Sequence, residues 1–186
     1  MVIIQRLLSC ILRTKYAIVS VVKRAARDRQ PNFADLLSAC RRELDRGAAR
    51  RAGLHLVCEL IRREVSRYDW VGFYLAEPVE GMMVLGPFAG TPTKNLRFSP
   101  GEGACGRAAR ELRTVRVEDA LSGERPIVRS MKVQSEIALP LEASGTLVAV
   151  LLVDSHRPAA FTEVDEEFLA QLAESAAPYV PRIPRP

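Results

Sequence analysis

The sequence is poor in residues that build cross-links and metal sites. Its 186 residues include four Cys, at positions 10, 40, 58 and 105, and only two His, at 55 and 156. No two cysteines have the CxxC spacing of a zinc or redox motif. That excludes the common zinc patterns and a disulfide scaffold, so no metal and no cofactor are expected. Cysteine used in this way fits a reducing, cytoplasmic compartment. Also missing is an uninterrupted apolar run of about 20 residues, the length a membrane-spanning helix needs. Residues 1–22 come nearest, but Arg6, Arg13 and Lys15 interrupt them. No clean apolar core with a small-residue cleavage site follows, which argues against a secretory signal. Aromatic residues make up 6% of the chain, and none interleaves with the basic pairs Lys23-Arg24, Arg41-Arg42, Arg50-Arg51 and Arg62-Arg63. A stacking platform for nucleic acid requires such interleaving. The net charge of +5 is therefore assigned to solvated helix faces, and no nucleic-acid partner is expected.

What remains is an ordinary globular composition, 48% hydrophobic and 26% charged, enough for one well-buried domain. In residues 1–30, Ile3, Ile4, Leu7, Leu8, Ile11 and Leu12 have the spacing of a basic amphipathic helix. Three uses stay open for it: docking on the domain, contact with a membrane surface through residues 1–22, or an extension without structural role. Gln30-Pro31-Asn32 breaks the chain, and residues 31–177 form the domain. Residues 178–186 contain four prolines and are expected to run free as a tail.

Within the domain, two helices come first, Phe33–Asp45 and Ala48–Ser66, each with an apolar stripe on which Cys40 and Cys58 serve as core filler. Trp70–Leu75 and Met82–Leu85 read as strands joined by a turn at Glu80-Gly81, followed by a loop over residues 86–95. Ser135–Leu141 and Thr146–Asp154 form a second hairpin around Gly145, its second strand apolar on both faces as a covered central strand would be. Thr162 and Asp165 make a capping box for a last helix. The result is an α+β fold, an antiparallel sheet with N- and C-terminal helices packed on one side.

The stretch from Phe98 to Ala120 carries the clearest chemical signal. A turn with Pro100, Gly101 and Gly103 opens onto a short helix, Ala104–Leu112, and then a strand, Thr114–Val117. Cys105 falls in the first turn of that helix, where exposed N–H groups favour a thiolate. Two readings stand: a reactive thiol, or a small apolar residue packed between glycines.

From Tyr68 to about Leu172 the chain resembles a GAF domain, and more narrowly the free methionine-(R)-sulfoxide reductase family. The segments that carry the resemblance are YDWVGFYL (68–75), VLGPFAG (84–90), GEGACGRAA (101–109), RVEDA (116–120), SEIALPL (135–141), AVLLVDS (149–155) and FTEVDEEFL (161–169). The resemblance implies a GAF-like sheet of about six strands, a small-molecule pocket between sheet and long loops, and homodimerisation. It implies that Trp70 and Tyr74 line the pocket and that Glu136 and Asp154 supply carboxylates to it. Asp154 matches the second of two family acids spaced i, i+2, which point to one face; Leu152 stands at the first.

The thiols depart further from the family. The GACG cysteine is present as Cys105, but Thr93-Lys94-Asn95 stands where a second cysteine would fall. Arg129 occupies the position of the catalytic cysteine, eight before the SEI isoleucine. A guanidinium cannot attack a sulfoxide or form a sulfenic acid. The expected function is therefore a sensor-like, small-molecule-binding GAF domain without catalytic activity. Its ligand would be methionine-like or, through Arg129, anionic. The alternative is a thiol-dependent reductase of free methionine-(R)-sulfoxide using Cys105. Glu136 and Asp154 also admit structural readings, as a strand-edge carboxylate and a turn cap, and His156 reads as a surface loop histidine.

Overall fold

Alternating apolar side chains along the long strands put a core on both faces of one sheet. The computed structural model describes residues 31–46, 50–78, 80–120 and 132–181. The amphipathic segment expected in residues 1–30, and Arg129, lie outside the described residues. In chain order the elements are α1 (Phe33–Arg46), α2 (Arg50–Glu64), β1 (Trp70–Ala76), β2 (Met83–Ala89), β3 (Arg97–Phe98), α3 (Gly103–Glu111), β4 (Val115–Val117), β5 (Ser135–Ala143), β6 (Thr146–Ser155) and α4 (Glu163–Ala176). The strands form one antiparallel sheet in the order β3-β2-β1-β6-β5-β4. The apolar strand β6 is central, as its two-faced burial requires. Its hairpin with β5 turns at Ser144-Gly145, both with positive φ (54° and 71°), the primed geometry that matches strand twist.

Helices α1, α2 and α4 cover one face. Leu36, Leu37 and Leu44 of α1, Val57 and Ile61 of α2, and Leu169 and Leu172 of α4 meet Val71, Phe73, Ile137, Leu139, Leu151 and Val153 of the sheet. Each alternate strand residue faces the other way. Trp70, Tyr74, Ala138, Val150 and Leu152 pack beneath α3 against Ala104, Cys105 and Ala108. The expectation of terminal helices on one side holds, and among the described residues α3 covers part of the opposite face.

The capping box of α4 forms as its sequence predicts. Asp165 is fully buried and also ties α4 to the segment before β1: Tyr68 Oη donates to it at 2.7 Å, and Arg67 is ion-paired with it.

In the glycine-rich stretch the glycines serve packing. Gly101 N donates to the Gly106 carbonyl at 2.6 Å, and Gly106 N donates to the Glu102 carbonyl at 2.9 Å. A Cβ at Gly106 would sit 2.2 Å from the Ser99 carbonyl oxygen and 3.0 Å from Gly101 N. Both are backbone atoms, which cannot rotate aside. Gly106→Ala is expected to cost about 1–3 kcal/mol through overpacking. Thermal unfolding should register this as a fall of about 2–4 °C per kcal/mol.

Two expectations are corrected, and one strand is added. The loop anticipated over residues 86–95 begins later, because β2 continues to Ala89. Gly86-Pro87 forms a bulge opposite Phe73, between the pairs Gly72–Phe88 and Tyr74–Leu85. A bulge tolerates proline because it needs no ladder N–H there. Strand β3 was not anticipated; two residues are too few to show an alternation. The tail does not run free from residue 178: Val180 is buried in the larger core, and the Tyr179 hydroxyl donates to Asp45.

Candidate ligand-binding site

Strand register gathers the polar residues that sequence alone leaves scattered. Across β4, β5, β6 and β1, Val117 pairs with Glu136, Glu136 with Asp154, and Asp154 with Trp70. Directly opposed residues in antiparallel strands project to the same face. Glu136, Asp154 and Trp70 therefore form one row at the end of the sheet, on the α3 side, and each is at most 6% exposed.

The Trp70 ring folds back along its own strand, over Gly72. A Cβ at Gly72 would lie 2.3 Å from Trp70 Cη2, and one at Gly90 would lie 2.7 Å from Cδ1. Phe88, opposite Gly72, stacks on the indole with centroids 5.6 Å apart and planes 17° apart. The two glycines and one phenyl ring thus set the indole plane.

Above this floor is a cavity of about 280 Å³, close to the lower end of small-molecule sites. Trp70 and Asp154 line it from the sheet. Thr91, Pro92, Thr93 and Lys94 form one wall, and Lys132 and Val133 another; Asp69 and His156 complete it. The loop wall is tied in place by Tyr74, whose hydroxyl donates to the Asn95 carbonyl at 2.9 Å, and by Thr93 Oγ1, which accepts from Asn95 N at 3.1 Å. At the other end His156 N donates to Asp69 Oδ2 at 2.7 Å, its Nδ1 lies 3.3 Å from Oδ1, and Asp69 N donates to the Asp154 carbonyl at 2.9 Å. Two carboxylates, two ammonium groups and an imidazole thus surround one small space.

Of the residues anticipated for the site, Trp70 and Asp154 line this cavity together. Glu136 sits beside Asp154, one strand further away. Tyr74 lies behind the wall it fastens, its ring 6.1 Å from that of Trp70. Arg129 is outside the described residues. Cys105 is the third residue of α3, as expected, but it is fully buried in the core between α3 and the sheet. No cysteine lines the cavity among the described residues. Burial pushes the Cys40 thiol up to about 12, with Glu43 adding to it, and burial raises Cys58 well above its ordinary value. Both are inert packing residues.

Sequence reasoning missed Asp69, Lys94, Lys132 and the lining role of His156. The available signal was the pairing of the YDW and VDS segments: once Trp70 opposes Asp154, the residues flanking each must meet.

Among the described residues no group of three or more His, Cys, Asp or Glu could hold a metal ion, and no helix is long and apolar enough to cross a membrane.

Comparison with known proteins places this arrangement among relatives. A family model described as GAF domain matches residues 51–180. Protein YtsP of Bacillus subtilis (strain 168) is 38% identical over 116 residues, which are 62% of this chain and 71% of that protein. Free methionine-R-sulfoxide reductase of Escherichia coli (strain K12) is 35% identical over 113 residues, 61% of this chain and 67% of the enzyme. The X-ray structure of free methionine-R-sulfoxide reductase from Neisseria meningitidis, in complex with its substrate, superposes with a TM-score of 0.74 at 29% identity, covering 80% of this chain and 87% of that one.

Proposed function

Because this chain belongs to the GAF domain family and is homologous to free methionine-R-sulfoxide reductases, we propose that it binds a small molecule in the Trp70–Asp154 cavity without reducing it. One observation carries the proposal. The cavity combines an aromatic and carboxylate floor with a rim of mixed charge, and no thiol lines it among the described residues. Asp154 and Asp69 suit an ammonium group, and Lys94 and Lys132 suit a carboxylate. A free amino acid of methionine-like size fits that description. Arg129, at the position of the family's catalytic cysteine, is proposed as a further anion partner on its sequence position alone.

The second reading, reduction of free methionine-(R)-sulfoxide by Cys105, is favoured by the 35% identity to the reductase. Against it, Cys105 is fully buried under α3, and a thiolate must reach the sulfoxide sulfur to attack it.

Trp70 is the only tryptophan in the chain, so its fluorescence reports occupancy of this cavity directly. On titration with L-methionine-(R)-sulfoxide, Cys105→Ser should retain the wild-type affinity to within about twofold, as expected for a buried thiol outside the cavity. A loss of about tenfold or more in a folded Cys105→Ser protein, roughly 1.4 kcal/mol, would count against the non-catalytic reading.

A further inference from the structure

The geometry points to a second binding surface, where an acidic, extended segment of a partner protein pairs along the open edge of β2 beside the arginines of α2. This inference is independent of the ligand cavity. Strand β2 has β1 on one side. On its other side β3 pairs only with Met83 and Val84, and the ladder ends where Leu85 N donates to the Leu96 carbonyl at 2.8 Å. Among the described residues no strand pairs with the outer edge over residues 86–90. That edge is one wall of an open trough of about 860 Å³, about three times the ligand cavity. The other wall is α2, which contributes Arg51, His55, Glu59, Arg62 and Arg63. The two walls run in the same direction. Cys58 Sγ lies 3.7 Å from the Pro87 carbonyl, and Arg62 Nε donates at 3.0 Å to the Asp69 carbonyl, the atom that a Cβ at Gly90 would approach to 3.0 Å.

Positions 51, 55, 59 and 62 share one helix face and span about 16 Å along the axis, too long for a single phosphate or carboxylate. Their steps of about 6 Å match the roughly 6.6 Å between alternate side chains of an extended strand. A peptide laid along β2 would thus turn every second side chain toward this row. Three guanidiniums face one carboxylate there; Glu59 lies 3.5 Å from His55 Nε2, and Arg63 pairs with Glu64 at 2.9 Å. The positive surplus selects aspartate or glutamate at alternate positions of the partner. An open strand edge supplies the backbone groups for such pairing. Pro87 lacks an N–H and its carbonyl meets Cys58, so the pairing bonds come from residues 88–90.

The test titrates the full chain, labelled with ¹⁵N, with an end-blocked peptide of about seven residues alternating glutamate and valine, long enough to pass the arginine row. Saturable shifts should centre on the amides of residues 86–90, and their exchange with solvent should slow. The same peptide with lysine for glutamate should bind at least about tenfold more weakly. The glutamate peptide should lose a similar factor on the double variant Arg51→Glu, Arg63→Glu; both arginines are exposed, so that variant should melt near wild type. N-methylation of alternate peptide bonds removes the donors that face β2 and should also weaken binding about tenfold. A glutamate peptide that fails to saturate, or lysine or N-methylated peptides that bind equally well, would overturn the inference. Competition by inorganic phosphate, or by a rising concentration of the chain itself, would assign the trough to a small anion or a second copy and overturn it as well.

Discussion

Asp165→Ala is expected to cost about 3–5 kcal/mol of folding stability, the range for removing one partner of a buried ion pair. Asp165 is fully buried at the start of α4. Its carboxylate accepts from Tyr68 Oη at 2.7 Å, Thr162 N at 2.9 Å and Thr162 Oγ1 at 2.6 Å, and it is paired with Arg67. Alanine would strand a largely buried guanidinium and a buried phenol, and would remove half of a capping box. Against a typical total of about 5–15 kcal/mol, that loss is decisive. Tyr68→Phe removes one donor only and should cost about 1 kcal/mol.

Chemical denaturation of the three proteins orders these effects, and pH gives a second readout. Burial alone would raise the Asp165 carboxyl, but the hydrogen bonds from Thr162 and Tyr68 and the charge of Arg67 outweigh it and hold it below the usual aspartate value. A depressed folded value means that the contribution is present above the unfolded value of about 3.9 and is lost as pH falls through the folded one. The gap in stability between wild type and Asp165→Ala should therefore narrow on acidification below about pH 5. A constant gap would show that the carboxylate charge contributes nothing.

Asp154→Asn is expected to weaken binding of a zwitterionic amino acid at least about 30-fold, since truncating a buried charge that meets its partner costs about 2 kcal/mol or more. Asp154 is 2% exposed, between Trp70 and Glu136 in the strand row. Asparagine keeps the shape, and the backbone bond from Asp69 N to the Asp154 carbonyl is untouched. Melting should stay near wild type while affinity falls. Fluorescence titration measures the affinity, and unchanged affinity would move the ammonium site away from Asp154.

The fold was legible wherever a local rule acts alone. The apolar runs of β1, β5 and β6, the Gly145 turn and the Thr162–Asp165 capping box each follow from spacing and residue type over a few positions. The site was half legible. Trp70, Glu136 and Asp154 could be singled out by resemblance, but their meeting in one row depends on register, which is a property of paired strands. Asp69 and His156 touch although 87 residues separate them, and no local pattern encodes such a pair. Lys94 had drawn notice only for the cysteine it stands in place of; its position in the cavity wall depends on how Tyr74 fastens the loop. The position of Cys105 in its helix was foreseen correctly. Its burial settles the two readings left open in favour of the small packed residue: the first turn of a helix can face either water or a sheet, and Gly106 draws this one against backbone.

The central claim, binding without reduction, is tested most directly by following L-methionine-(R)-sulfoxide with the purified chain and either dithiothreitol or a thioredoxin system as reductant. The account predicts that the R isomer persists at the rate set by reductant alone, under conditions where fluorescence shows the cavity filled. Loss of the R isomer that disappears in Cys105→Ser would contradict it and make this chain a working reductase.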